Sequence, residues 1–314
     1  MTVTIREFRP DAPTAAADAE AAGAVLRAVL PYLVVTPRVL RWQVEHAPAA
    51  QHHRLLLAEA DGHLLGCART GIYYDSSEPG QAYLNIYVHP DRRGRGAGRA
   101  LLAAGEAYVT GLDARAILCW SLDDERSIGF AERNGYRRGR SGHFQRLELG
   151  NGWLPAMPSR PPGAEVRTGA SLGDDLLRNL WAADNEATAD EPDDMDAAPI
   201  SYELWHSQFW SHPEHDPELT SVVTVDGVVA SFSLAVTDGQ TRYMSGMAGT
   251  RRAYRGRGLA KLAKSASLHR AAAAGYTEAF TNNDSGNEPM LAINRWFGYR
   301  QCATEVRWIR DLTG

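Results

Sequence analysis

The chain has 314 residues, of which 44% are hydrophobic and 23% charged, with a formal net charge of −5. Its length is about twice that of a common domain, so two domains are expected, and its negative balance excludes a general nucleic-acid binder, which needs a basic face. No window approaches the roughly 20 apolar residues of a membrane span, and the first ten residues lack the apolar core of a leader.

In chain order, Val3 to Phe8 reads as a short strand and Ala15 to Leu30 as an alanine-rich helix, with a second helix over Val39 to His46. Arg54 to Glu59 and Leu64 to Ile72 form a hairpin about Asp61-Gly62, a favoured tight-turn pair. Ala82 to Val88 alternates as a strand. A glycine loop comes next, then a helix from about Gly98 to Thr110 with Leu101, Leu102, Gly105, Tyr108 and Val109 on one face. Ile117 to Leu122 is a strand, Ser127 to Asn134 a short helix and Phe144 to Leu149 a closing strand.

The second half repeats this plan. Ser221 to Val225, Val228 to Thr237 and Thr241 to Ala248 are its central strands, and Ala260 to Ala274 is its long helix. Gly96 and Gly258 stand 162 residues apart, Gly135-Tyr136 and Gly298-Tyr299 stand 163 apart, and Asp61-Gly62 and Asp226-Gly227 stand 165 apart. Matches in one order at nearly one offset mark a duplication. Residues 151–163 are rich in proline and glycine and read as a linker between domains 1–150 and 164–314. The expected fold class is α+β, with two tandem domains, each a mixed, mostly antiparallel sheet flanked by helices.

The chemistry sits in the glycine loops. Arg93-Gly94-Arg95-Gly96-Ala97-Gly98, with Arg99 after it, joins a strand to a helix, and Arg255-Gly256-Arg257-Gly258-Leu259-Ala260 does the same. Glycines let successive N–H groups turn toward one point, where the helix N-terminus adds partial positive charge and arginine can grip a phosphate bidentately. Walker and dinucleotide-binding patterns fit neither loop. The three cysteines Cys67, Cys119 and Cys302 have no metal-ligand spacing, so they read as reduced residues of a cytoplasmic protein without a metal.

Both halves resemble the GNAT superfamily of acyl-CoA-dependent N-acyltransferases. The pattern Arg/Gln-x-x-Gly-x-Gly/Ala of that family lies on Arg93, Gly96 and Gly98, and again on Arg255, Gly258 and Ala260. Its later Asn-x-x-Ala pattern is partly present, at Asn287 in the second half and around Ser127, Phe130 and Ala131 in the first. The resemblance implies acetyl-CoA or another acyl-CoA as co-substrate, bound by these two loops, by backbone near Val88 or Thr250, and by Asn287. It implies direct attack of a primary amine on the thioester, with a base to accept the amine proton. The partner is a small-molecule amine, and the protein is a monomer or homodimer. Acetylation of a peptide or protein amine and non-catalytic acyl-CoA sensing are the alternatives.

The tyrosine that often protonates the CoA sulfur in this family falls at Ala131 and Asn294. Alanine can do no acid chemistry, and asparagine can only donate a hydrogen bond. For the base, the first half offers Tyr83, Asn85 and Tyr87 on its strand but no carboxylate. The second offers Tyr243 and Ser245, and between Asp174 and Asp196 it has nine carboxylates against one arginine, Arg178. Glu186 and Asp190 lead as bases for a cationic amine, ahead of His206, His212, His215 and Asp284. On this reading the second half performs the transfer, and the first binds CoA or serves as scaffold.

Overall fold

The computed structural model describes residues 2–150, 152–192 and 198–312. In chain order it contains β1 (Thr4–Glu7), α1 (Ala15–Val29), α2 (Pro37–His46), β2 (Arg54–Ala60), β3 (His63–Ile72), β4 (Gln81–Val88), α3 (Ala97–Thr110), β5 (Ala116–Leu122), α4 (Glu125–Arg133) and β6 (Arg137–Glu148). The second half continues with β7 (Ala164–Thr168), α5 (Asp174–Thr188), α6 (Tyr202–Trp205), β8 (Ser221–Val225), β9 (Val228–Thr237), β10 (Arg242–Thr250), α7 (Leu259–Ala273), β11 (Glu278–Asp284), α8 (Glu288–Phe297) and β12 (Arg300–Asp311). Residues 152–163 form no helix or strand, as their prolines dictate. Among the described residues no helix is long and apolar enough to cross a membrane.

Local chemistry sets these elements. The two hairpin turns put Asp61 and Gly62 at φ 51° and 77°, and Asp226 and Gly227 at 49° and 82°. That is the positive-φ pair a twisted two-residue turn needs. Pro37 opens α2 behind Thr36, whose side chain accepts from the Val39 N–H at 3.3 Å. Asp124 caps α4 in the same way, accepting from the N–H groups of Arg126 and Ser127.

The chain divides into two compact units, and they do not follow the linker. One runs to Ser141 and takes back the chain from Ala303 onward; the other lies between Gly142 and Cys302. In the first unit the strand order is β1-β2-β3-β4-β5-β12, and in the second it is β7-β8-β9-β10-β11-β6. β12 lies antiparallel to β5, pairing Trp308 with Cys119 and Glu305 with Leu122. β6 lies antiparallel to β11, pairing Phe144 with Asn282. So the strand expected to close the first half has its later part in the second unit, and β12, from the second half, closes the first. Alternation marks both as strands, but it does not tell which edge each one joins.

Each unit has its own core. In the first, Leu101, Leu102 and Val109 of α3 pack on Ala68, Ala82 and Leu84. In the second, Leu259, Leu262 and Ala263 of α7 pack on Val223, Val225 and Ala230, and Leu268 and Ala271 pack with Tyr243 and Phe297.

Candidate active site

In the first unit β4 and β5 are parallel neighbours only from Gln81↔Ala116 to Tyr83↔Leu118. Beyond that point their backbones part, and Asn85 spans the opening by accepting from the Trp120 N–H at 2.8 Å. The splay opens toward the glycine loop. Gly94 and Gly96 stand at φ 76° and 89°, a region that glycine enters at little cost. Gly96 caps α3 without a side chain, so the first N–H groups of the helix lack a side-chain acceptor.

A cavity of about 1080 Å³ fills this end of the unit, and Val88, Arg93, Gly94, Gly96, Gly98 and Arg99 lie on its wall. Its size is at the upper limit of small-ligand pockets, which suits an extended thioester ligand with a diphosphate at one end. Ala97 also lines it, while Arg95 is exposed beside it. The donor set fits the group. Arg93 is engaged in no ion pair among the described residues, and open helix amides face the same space.

The far wall contains a residue that the sequence did not bring forward. Glu305 of β12 lines the same cavity, with Tyr87, Trp120, Ser121 and Trp308. On β12, Glu305 and Arg307 share the face of Trp120, and the Arg307 guanidinium lies 4.5 Å over the Trp120 ring. A carboxylate that β4 and β5 lack is therefore supplied by a strand of the second half, in addition to Glu125 at the start of α4. Ala131 lines the cavity, as the alignment of motifs implies, and offers no acid. Nearby Cys119 has its thiol pushed up to about 12 by burial, so it stays a neutral thiol.

The second loop has the same backbone but a different occupant. Gly256 and Gly258 stand at φ 76° and 77°, Leu259 begins α7 buried against the core, and Ala260 comes after it. Arg257 lies 5.3 Å over the Tyr254 ring. From α5, Glu186 accepts from the Arg252 N–H at 2.6 Å and pairs with Arg251 at 3.0 Å. Just beyond α5, Asp190 pairs with Arg252 at 2.5 Å and also with Arg255. Arg255 Nε donates to the Thr250 carbonyl at 3.1 Å, the backbone group expected to meet pantetheine. The side-chain hydrogen bonds from Arg252 and Arg255 hold the Asp190 carboxyl well below the usual carboxylate range. Burial pushes Glu186 upward, but its bonds to Arg252 and Arg251 outweigh that and lower it. Both carboxylates expected as bases are thus held ionised by Arg251, Arg252 and Arg255.

Gly249 is the reason α5 reaches the loop. A Cβ there would fall 2.4 Å from the Ala187 Cβ, so the missing side chain lets the helix lie directly on β10. Gly249→Val should lower the unfolding free energy by about 1–3 kcal/mol through overpacking, read in urea. An unchanged midpoint would show that α5 does not depend on this approach.

The other residues expected in the second half serve structure. Asn294 is fully buried; it donates to Gln145 at 2.6 Å and to Asn283 at 2.7 Å, and accepts from Lys264 at 2.6 Å. It is spent on this network rather than facing an open site. Asn287 caps α8, accepting from the Met290 N–H. Tyr243 is buried against Ser267 at 2.7 Å. His215 bridges the Trp210 carbonyl and the Thr220 hydroxyl, and Asp284 accepts from the Gly286 N–H. Asp193, Asp194 and Asp196 of the acidic run lie outside the described residues.

Two strand–glycine loop–helix cradles, one of them opening onto a large cavity at a splayed strand pair, define an acyl-CoA-dependent acyltransferase. A family model described as "Acetyltransferase (GNAT) family" matches residues 27–136. The chain is 31% identical to a mycothiol acetyltransferase of Clavibacter michiganensis over 84% of its own length and 86% of that protein. It is 35% identical to one of Salinispora arenicola over 49% of its length and 46% of that protein. Its fold matches a tandem GNAT protein from the clavulanic acid biosynthesis pathway, with TM-score 0.77 and 19% identity, covering 99% of this chain and 98% of that one. The chain belongs to the GNAT family of acetyltransferases as a tandem member, and it is an N-acetyltransferase.

Proposed function

We propose that the first unit performs acetyl transfer from acetyl-CoA to the primary amine of a small molecule, and that the second unit serves as scaffold. This reverses the division of labour read from the sequence. One observation carries it: the open cavity joins the Arg93–Gly98 loop to Glu305, whereas Arg255 of the second loop is paired with Asp190, and Arg251 and Arg252 just before it with Glu186 and Asp190. With those two carboxylates neutralised, the argument for a cationic acceptor falls away. The name of the relatives makes an amine of the mycothiol type one member of the panel to test.

The bound thioester supplies an activated acyl carbon. Around it, Arg93, Arg99 and the first amides of α3 hold the diphosphate, and the free edge of β4 near Val88 orients the chain lying in the splay. Glu305 accepts the proton of the incoming amine, beside Tyr87 and Trp120 of the same wall. No side chain at the position of Ala131 delivers a proton to sulfur, so the departing thiolate takes its proton from water.

Calorimetric titration with acetyl-CoA should give one equivalent bound per chain, and an amine panel should release free CoA. Two equal sites would overturn the one-sided assignment, and no binding at all would sink the reading entirely.

A further inference from the structure

Arg69, at the centre of β3, has no counterion among the described residues. Its Nε is buried without a hydrogen-bond partner, and the side chain is half-buried, with no ion pair among the described residues. It points to the face of the sheet opposite α3. Its neighbours Ala68 and Thr70 turn to the other side, and Ala68 packs in the core with Leu84 and Leu101 of β4 and α3.

The residues beside Arg69 on its face are neutral, the charged Arg6, Asp18 and Glu59 of that face being paired with one another about β1. Across the strands Arg69 pairs with Leu55 and Asn85, and Cys67 and Gly71 flank it on β3. Tyr83 and Tyr87 stand on either side of Asn85. Tyr83 accepts or donates a hydrogen bond with His53 Nδ1 at 2.6 Å, and the Tyr73 ring meets it edge-on at 5.2 Å. His53 is neutral, its pKa lowered to about 3 by burial and then by Arg69. The charged groups of the neighbouring wall, Glu305 and Arg307, share one face of β12, where the Arg307 guanidinium lies over the Trp120 ring.

A guanidinium in this setting costs stability unless an anion meets it. Tyr87 connects it to the reaction site: it lies one strand from Arg69, on the same face, and lines the cavity that holds Glu305. A planar fork among hydroxyls suits a carboxylate, which it can grip bidentately.

We infer that Arg69 binds a carboxylate carried by the acceptor amine, with Tyr83 and Tyr87 as the walls of that subsite. The inference rests on the assignment of transfer to the first unit, and it makes the acceptor an amino acid-like molecule instead of a plain cation.

The test uses an ω-amino acid, its carboxamide and the aminoalkyl phosphate of the same chain length, with wild type, Arg69→Gln and Arg69→Lys. CoA release and the melting temperature of the acetyl-CoA-loaded protein are both read. The wild type should favour the amino acid over the amide by at least about tenfold in kcat/KM or in binding, the usual worth of one charge-assisted contact. Arg69→Gln should bring that ratio to about one while the acetyl-CoA Kd and the amide values stay unchanged, and Arg69→Lys should keep part of it. A ratio that survives in Arg69→Gln, an amide bound as well as the acid, or a phosphate bound better than either overturns the inference. Loss of acetyl-CoA binding by the wild type would instead overturn the assignment beneath it.

Discussion

Gly96→Val is expected to weaken acetyl-CoA binding and kcat/KM on the order of 100-fold, while Gly258→Val leaves turnover within about twofold. At Gly96 the backbone sits at φ 89°, where a β-branched residue costs roughly 1–2 kcal/mol, and the only protein atom near an added Cβ is Val3 Cγ2 at 3.9 Å. The space above the glycine is therefore open, and a side chain there would stand where the diphosphate must reach the amides of α3. Losing two charge-assisted hydrogen bonds weakens binding by about 3 kcal/mol, on the order of 100-fold. Gly258 has a similar backbone, at φ 77°, but Arg255 of its loop already bonds to Asp190. Strain is nearly equal in the two variants, so melting temperatures should fall alike while activities diverge. Equal loss of activity in both would reject the one-sided site, and loss only in Gly258→Val would restore the second unit as the catalytic one.

Glu305→Gln is expected to lower kcat by roughly 10²–10⁴, the range for a removed general base, with the acetyl-CoA Kd unchanged. Glutamine keeps the shape and hydrogen-bonding reach of the side chain but cannot take the amine proton. The measurement is steady-state CoA release alongside calorimetric binding. A kcat within threefold of wild type would show that the proton leaves by another route. A fall in binding without a fall in kcat would show that the residue shapes the cofactor cleft instead.

Much of the fold is legible in the sequence. The hydrophobic alternation of Ala82 to Val88, the turn pairs Asp61-Gly62 and Asp226-Gly227, and the apolar face Leu101, Leu102, Gly105 and Val109 all fix local structure through short-range chemistry. The loops are legible for the same reason, since glycine at positive φ before a helix leaves few other uses. Glu305 is not, because the wall it lines depends on which unit β12 joins, and strand alternation is silent about partners. The acidic run is ambiguous in a related way. Its density suggested a site for a cation, but the cations that meet Glu186 and Asp190 are Arg251, Arg252 and Arg255 of the same chain, some 62–66 residues away. Charge composition gives the sign of a surface without naming what neutralises it. Arg69 shows the converse, since one arginine within an otherwise apolar strand looks unremarkable until its neighbours prove neutral.

The exchange of closing strands also sets an order on biosynthesis. The first unit cannot complete its sheet on the ribosome when residue 141 emerges; it must wait for the segment beginning at Ala303, which is made after the whole of the second unit. Until then the edge of β5 is bare and the cavity lacks Glu305. Cutting the gene at the linker would therefore yield two fragments, each carrying the other's final strand. Activity would return only when both are present together, so a chain with two domain-length halves is inherited and folded as one piece.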